Sequence, residues 1–431
     1  MAVSNERSLD QWLDYIESLH PVEIDMGLER IMAVARKMHL HIPAAHVITV
    51  AGTNGKGSTA IAMEQLLLQP GAPAGRRVGT TVSPHIEHFS ERIRVQGEAV
   101  PEALIVAAFT AIERDRDAVP LTYFEFATLA ALWCFRACEV SVMILEIGLG
   151  GRLDAFNIVD AHTAIITSIG LDHQSYLGND RESIGLEKAG ILRAGQRVCL
   201  GPDMPDTVRR TTQALGLAPL AVGAQLAVAE RAGAWSLQVT EQTDADPAWQ
   251  VGPLPVSGFN VANCALAVAA VWPLLTPAQQ HARQLARWAE GLGLPGRCET
   301  RPAWGRQWLL DVGHNALAAG HLLNFLRSRM PSRRVVAVYG VLADKPAEAM
   351  AQALAGRVTH WVLVPTDGTR GQSAAALAER LQPLANVHQA NSVDQGLRMA
   401  RALTGPADQI LVWGSFSVVA QARTALAHPV L

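Results

Sequence analysis

His46-Val47-Ile48-Thr49-Val50-Ala51 runs straight into Gly52-Thr53-Asn54-Gly55-Lys56-Gly57-Ser58-Thr59. The first six residues are a short β-branched run, the pattern of a strand buried on both faces. The next eight are a Gly-rich turn, and a helical pattern follows from about Thr59 to Gln69. Strand, Gly-rich turn and helix in that order make a phosphate site. Successive backbone N–H groups curl around phosphate oxygens, and the helix N-terminus adds positive potential. Lys56 has the reach for β- and γ-phosphates, and Ser58 or Thr59 can supply a hydroxyl near Mg²⁺. The spacing departs from the general Walker pattern: the first Gly lies closer to the Lys, and Gly57 is inserted before Ser58. The alternative, a plain turn with an exposed Lys, is disfavoured by the flanking strand and helix.

Outward from this loop the same alternation continues. The first forty residues have helical spacing, with Trp12, Ile16 and Leu19 in phase. Phe126 to Ala137 reads as a helix, and Val140 to Leu145 and Thr163 to Thr167 read as buried strands. Residues 201–258 are richer in Pro, Gly and polar residues, and pieces such as Trp235 to Val239 suggest an antiparallel patch attached to the first domain. A helix from Val261 to Leu275 closes that domain, and Leu294-Pro295-Gly296-Arg297 reads as a linker. The alternation then restarts with strands at Trp308–Val312, Val335–Tyr339, Trp361–Val364 and Ile410–Trp413, and a helix from about Asn315 to Arg329. The fold class expected is α/β: an N-terminal P-loop ATPase-like domain, residues 1–296, with a mostly parallel sheet, and a smaller Rossmann-like α/β domain, residues 297–431.

The 431 residues exceed what one core organises and suit two domains. Apolar residues make up 49% and charged residues 17%, which excludes a disordered chain. A net charge of −3 makes no electrostatic case for a nucleic-acid partner. No apolar stretch follows a basic start, so no signal peptide is expected, and the most apolar long window, residues 261–275, is too short to span a bilayer. Five cysteines, an odd count without a CxxC pair, point to reduced thiols in the cytoplasm.

Several segments end strands where open α/β sheets bind ligands. Glu146, in Leu145-Glu146-Ile147-Gly148-Leu149-Gly150-Gly151-Arg152-Leu153-Asp154-Ala155, offers the hard oxygen that Mg²⁺ prefers. The glycines there miss the GxGxxG spacing, which argues against a nicotinamide cofactor. Thr167-Ser168-Ile169-Gly170-Leu171-Asp172-His173 also ends a strand. Asp311-Val312-Gly313-His314-Asn315 follows a strand and opens a helix. Taken singly, other segments have plain readings. Ser83-Pro84-His85 suits a helix cap, Lys188 an exposed helix salt bridge, and Thr122-Tyr123-Phe124-Glu125-Phe126 a helix start with core aromatics.

Together these motifs, from residue 21 to 315 and in order, resemble the folate branch of the Mur ligase superfamily, the dihydrofolate synthase/folylpolyglutamate synthase family. The loop GTNGKGST, SPH with Glu91-Arg92-Ile93, EIGLGGRLDA, TSIGLDH and Glu187-Lys188-Ala189-Gly190-Ile191 carry the likeness. Two segments separate the folate branch from the muramyl branch: Pro21-Val22-Glu23-Ile24-Asp25-Met26-Gly27-Leu28-Glu29-Arg30, and Thr122 to Phe126. The resemblance implies an ATP-binding set of Gly52 to Thr59 with Asn260, Asn263, Arg297 and Asp311. It implies Ser83, Glu146 and His173 as Mg²⁺ ligands, and Lys188 carboxylated by CO₂ to a carbamate. Lys56, Lys188 and His314 would serve the chemistry. Val22, Glu23, Ile24, Asp25, Thr122, Tyr123, Phe124, Glu125, Leu153, Asp154 and Ala155 would line the pterin or folate site, with Phe124 as the aromatic wall. Three positions depart from the family's patterns: Gly313 stands where Ala is usual, and Phe259-Asn260 where His-Gln is usual.

The implied activity is an ATP- and Mg²⁺-dependent ligation of L-glutamate to dihydropteroate and to reduced folates through an acyl phosphate, with ATP at the domain seam. A cytoplasmic monomer with small-molecule partners, and neither nucleic acid nor membrane, is expected. Two alternatives are a muramyl-type amino-acid ligase and a P-loop ATPase switch that hydrolyses without glutamate.

Overall fold

The structure is a computed structural model, and it describes residues 7–22, 24–43, 45–240, 248–382 and 384–429. Its first sheet is built from β1 (His46–Ala51), β2 (Val78–Thr81), β3 (Ile93–Val95), β4 (Glu98–Ala99), β5 (Val142–Glu146), β6 (Thr163–Ile166), β7 (Arg197–Leu200) and β8 (Leu220–Ala221). Every residue of β2, β5 and β6 is buried, as is all of β1 after His46. Burial at successive positions means that both faces of the sheet are covered, which is why these strands are apolar throughout rather than alternating. The order is β4-β3-β2-β5-β1-β6-β7-β8. The pairs from β2 through β8 are parallel, and β3 and β4 add an antiparallel edge.

This order creates the site. From β1 the chain moves two places along the sheet to β2, returns to β5 between them, and then crosses to β6 on the other side of β1. Such a reversal opens a crevice beyond the C-terminal strand ends. Register aligns those ends: Val50 lies opposite Glu146, and Ala51 opposite Ile166.

Strands β9 (Leu226–Arg231), β10 (Ala234–Val239) and β11 (Trp249–Pro255) form a separate antiparallel sheet, with Trp235, Leu237 and Val239 buried at alternate positions. A third sheet holds β12 (Glu299–Ala303), β13 (Arg306–Asp311), β14 (Val335–Tyr339), β15 (Val358–Leu363), β16 (Val387–Gln389) and β17 (Gln409–Trp413), in the order β12-β13-β17-β14-β15-β16. It is parallel except for β12. Two compact units result: Met1–Val256 with Val261–Gly291, and Ser257–Asn260 with Leu292–Leu431. Each has its own apolar core. The second therefore begins at Leu292 and includes the detached piece Ser257–Asn260, which composition does not signal.

Element ends differ from the sequence pattern in explicable ways. The helix after the Gly-rich loop starts at Lys56, three residues before Thr59, because Gly55 sits in the left-handed region (φ 84) and caps it. The helix at Phe126 starts at Tyr123, where Thr122 and Glu125 form a reciprocal cap. The apolar helix from Val261 stops at Val271, and Pro273 falls in a tighter 3₁₀ turn, Trp272–Leu274. Among the described residues no helix is long and apolar enough to cross a membrane.

Candidate active site

The loop Gly52–Gly55 is held from the side by the segment that follows β6. The Thr53 N–H donates to the Ser168 carbonyl at 2.8 Å, and the Asn54 N–H donates to Ser168 Oγ at 3.1 Å. Ser168 Oγ and Thr167 Oγ1 donate in turn to the Asn54 carbonyl at 3.1 and 2.7 Å. Thr53 Oγ1 donates to the Gly170 carbonyl and accepts from the Gly170 N–H. The Thr53 and Asn54 amides therefore have partners within the protein. The first turn of the helix Lys56–Leu67 is where orphan N–H groups are expected. Asn263 packs against the loop: a Cβ on Gly55 would fall 2.1 Å from its Nδ2. The Thr59 hydroxyl donates to the Gly55 carbonyl at 2.8 Å, which leaves Ser58 as the hydroxyl candidate for the phosphate side.

Two lysines meet at this loop. Lys56 Nζ donates to the Gly52 and Thr53 carbonyls at 3.1 and 3.3 Å, and Lys188 Nζ donates to the same Gly52 carbonyl at 3.0 Å. Lys188 is buried on the helix Arg181–Ala189, not exposed as its helical setting suggests. Burial and then the charge of Lys56 lower its pKa to about 7, against a weaker upward pull from Asp172 and Asp154.

Glu146 is buried at the end of β5, and its Oε2 accepts from the Ser83 N–H at 2.8 Å. A Cβ on Gly57 would stand 3.2 Å from that oxygen, so the carboxylate overlooks the start of the phosphate helix. Glu146 and the Ser83 hydroxyl are the hard oxygen donors that suit Mg²⁺. His173 lies on the loop after β6, exposed and with left-handed backbone (φ 50). Among the described residues no three His, Cys, Asp or Glu side chains converge as a metal site. Arg92, which the motif reading left without a role, donates from Nε to His85 Nδ1 at 2.8 Å and places its guanidinium over the Phe89 and Tyr123 rings. Burial, then Arg92, lowers the His85 pKa to about 4, so the ring is neutral and accepts.

The folate-branch segments are joined to one another. Arg30 pairs with Asp25 at 2.7 Å and with Glu125 at 3.4 Å. Glu125 is buried and also accepts from the Thr122 N–H, while Thr122 Oγ1 accepts from the Glu125 N–H. Those two polar side chains thus build a helix start. Phe124 is half-buried, set edge-on to Phe156 at 5.9 Å, and fills the space that a side chain on Gly148 would need. Asp154 is buried and accepts from the Gly148, Leu149 and Phe156 N–H groups. Burial raises its pKa to about 6 in spite of these donors. Leu153 is half-buried, Ala155 is buried, Val22 is exposed, Ile24 is half-buried, and Glu23 lies outside the described residues.

In the second unit, Asp311 is at the C-terminal end of β13. Its Oδ1 accepts from the Gly313 N–H at 2.8 Å, and its Oδ2 accepts from the Cys298 N–H at 2.9 Å. A Cβ at 313 would meet Asp311 Oδ1 at 2.7 Å and Ala318 Cβ at 2.8 Å, which accounts for glycine there in this chain. His314 Nδ1 donates to the Val312 carbonyl at 3.0 Å, a bond that sets its tautomer. The Arg297 guanidinium lies 5.0 Å over the Phe416 ring. Asn260 Nδ2 is 3.3 Å from His321 Nδ1, whereas Asn263 belongs to the first unit, so the Gly258–Asn263 segment divides between the two. Phe416, His321 and Cys298 carried no sequence signal.

Comparison with known proteins places the chain in a family. Residues 296–416 match the family described as Mur ligase, glutamate ligase domain. The Escherichia coli dihydrofolate synthase/folylpolyglutamate synthase is 40% identical over 421 residues, 96% of this chain and 94% of its own. The structure of E. coli FolC in complex with DHPP and ADP has a TM-score of 0.90 at 38% identity, covering 98% of each chain. The Yersinia pestis bifunctional folylpolyglutamate synthase/dihydrofolate synthase complexed with AMPPNP and Mn ion has a TM-score of 0.89 at 39% identity, again covering 98% of each. This chain belongs to the dihydrofolate synthase/folylpolyglutamate synthase family of ATP-dependent ligases.

Proposed function

We propose that the chain ligates L-glutamate to dihydropteroate, forming dihydrofolate, and to reduced folates, forming folylpolyglutamates. ATP is the co-substrate. The observation that carries this reading is the convergence of Lys56 and Lys188 on the Gly52 carbonyl, beneath a loop that precedes a helix N-terminus.

An oxygen of the acceptor carboxylate attacks the γ-phosphorus, and the bond from that phosphorus to the β–γ bridging oxygen breaks. ADP leaves and an acyl phosphate remains. The glutamate amine then attacks the acyl carbon, the bond to the phosphate oxygen breaks, and inorganic phosphate departs. The proton lost from the amine passes to solvent, and an amide is left. Lys56 moves from the loop carbonyls to the β- and γ-phosphates and offsets the charge that builds during transfer. Glu146 and Ser83, with His173 as third, are the proposed holders of Mg²⁺. When bound, the ion neutralises charge on the phosphate oxygens. Lys188, part neutral near pH 7, is in the form that adds to CO₂, and its carbamate would face the Lys56 charge.

The pterin side is assigned to Val22–Asp25, Thr122–Glu125 and Leu153–Ala155, with Phe124 as the ring contact and Thr122 and Glu125 holding the helix start that carries it. Asn260, Arg297 and Asp311 are assigned to the nucleoside, Gly52–Thr59 to its phosphates with Asn263 against the loop, and His314 to the phosphate end. We take the first unit as the ATP and folate domain and the second, from Leu292 with Ser257–Asn260, as the glutamate-ligase domain, working as a cytoplasmic monomer. An odd cysteine count fits that location.

ADP release tests the reading, measured with dihydropteroate, tetrahydrofolate or neither, each with and without glutamate. Release that requires both acceptor and glutamate is expected. Release without glutamate would favour an ATPase switch. Turnover with tetrahydrofolate alone would leave only the polyglutamylating half.

A further inference from the structure

Phe416 opens the helix Phe416–Leu426, directly after the turn that leaves β17. That turn has one path. Gly414 sits at φ 112, and a Cβ there would stand 2.5 Å from the Gly340 carbonyl oxygen. Ser415 caps the helix, its Oγ accepting from the Val418 N–H at 3.3 Å. The turn and the cap together set where the Phe416 backbone leaves the sheet, and its ring is half-buried. Two groups assigned to the nucleotide share that ring: Arg297 Cζ is 5.0 Å from its centroid, and the His314 ring is 6.0 Å away at 49°.

We propose that Phe416 is a positioning residue for Arg297, holding the guanidinium in place before the nucleotide arrives. The proposal rests on the nucleotide role given to Arg297 above. A cation over a ring face is attracted by the ring's quadrupole. A cation–π contact engages the face of the guanidinium and not its in-plane N–H donors, the groups that recognise a ribose or phosphate oxygen. Ordering a long Arg stem at the moment of binding weakens affinity, and a ring beneath the guanidinium reduces that ordering cost. An aliphatic side chain of similar bulk would fill the same space without the attraction.

The experiment uses the full chain, with ADP affinity by calorimetry alongside the Michaelis constant for ATP and kcat. Phe416→Leu should weaken ADP binding and raise the Michaelis constant for ATP by roughly threefold to tenfold, the range of one cation–π contact. Phe416→Tyr, which keeps the ring, should stay within about twofold of wild type on the same scale. In an Arg297→Met background Phe416→Leu should add nothing. Unchanged ADP affinity in Phe416→Leu, or the same loss with and without Arg297, would overturn the positioning role. If Arg297→Met itself leaves ADP affinity unchanged, the nucleotide role of Arg297 fails and the proposal goes with it. If Phe416→Leu does not fold, Phe416→Met carries the same comparison.

Discussion

The Lys188 amine combines burial with a second cation nearby, and its pKa near 7 has two measurable consequences. In ¹³C-bicarbonate the protein should give a carbamate resonance near neutral pH that disappears in Lys188→Arg, whose side chain cannot form it. A spectrum that does not change with the substitution would remove the modification. The second consequence is thermodynamic. The folded pKa lies near 7 and the unfolded one near the ordinary 10.5, so between those values the unfolded chain binds the extra proton. The burden of burying this amine is full below about pH 7 and shrinks as pH rises through the window. In CO₂-free buffer, the stability gap between Lys188→Met and wild type should therefore narrow from pH 7 to pH 9, read by urea denaturation. Lys56→Ala, in contrast, should keep its melting temperature and lose about 10²-fold or more in turnover, as expected for a single charge stabiliser. Phe124→Ala should raise the Michaelis constant for dihydropteroate roughly tenfold, about 1.4 kcal/mol, with that for ATP nearly unchanged. A lowered melting temperature without this selectivity would mark Phe124 as a packing residue only.

The helix Tyr123–Ala137 shows how a local signature serves two readings. Thr122 and Glu125 belong to the segment that separates the folate branch, and they also form a capping box, T-x-x-E. The structure uses both polar side chains for the cap, so Thr122→Ala should cost about 1 kcal/mol of stability. It should change pterin affinity much less than Phe124→Ala does, and a selective pterin defect in Thr122→Ala would reverse that assignment. Buried strands were legible because they are β-branched runs between Gly-rich turns, and the loop after β1 was legible because phosphate chemistry demands its composition. The start of the next helix was not, since Lys56-Gly57-Ser58 has no apolar period to read. The Arg30–Glu125 pair joins residues far apart in the chain, and the Phe416 shelf depends on how β17 ends. Neither leaves a local pattern. The Thr59 hydroxyl was equally open on paper, and only the helix geometry sends it to the Gly55 carbonyl.

At the scale of the molecule, two compact units, each with an apolar core among the described residues, imply two cooperative blocks. Calorimetric unfolding should depart from a two-state transition, with a van't Hoff enthalpy below the calorimetric one. Coincident, fully two-state melting would contradict that division. The first block also does something for the phosphate loop that its local sequence does not. Folding brings Ser168 and Asn54, 114 residues apart, within hydrogen-bond distance. The loop's shape is therefore settled when the sheet forms, before any nucleotide is present. Deuterium should enter the Thr53 and Asn54 amides slowly in the empty enzyme, and saturating ADP should slow it little further. A loop that already has its bound shape loses little conformational entropy on binding, so the favourable enthalpy of the phosphate contacts is retained as affinity.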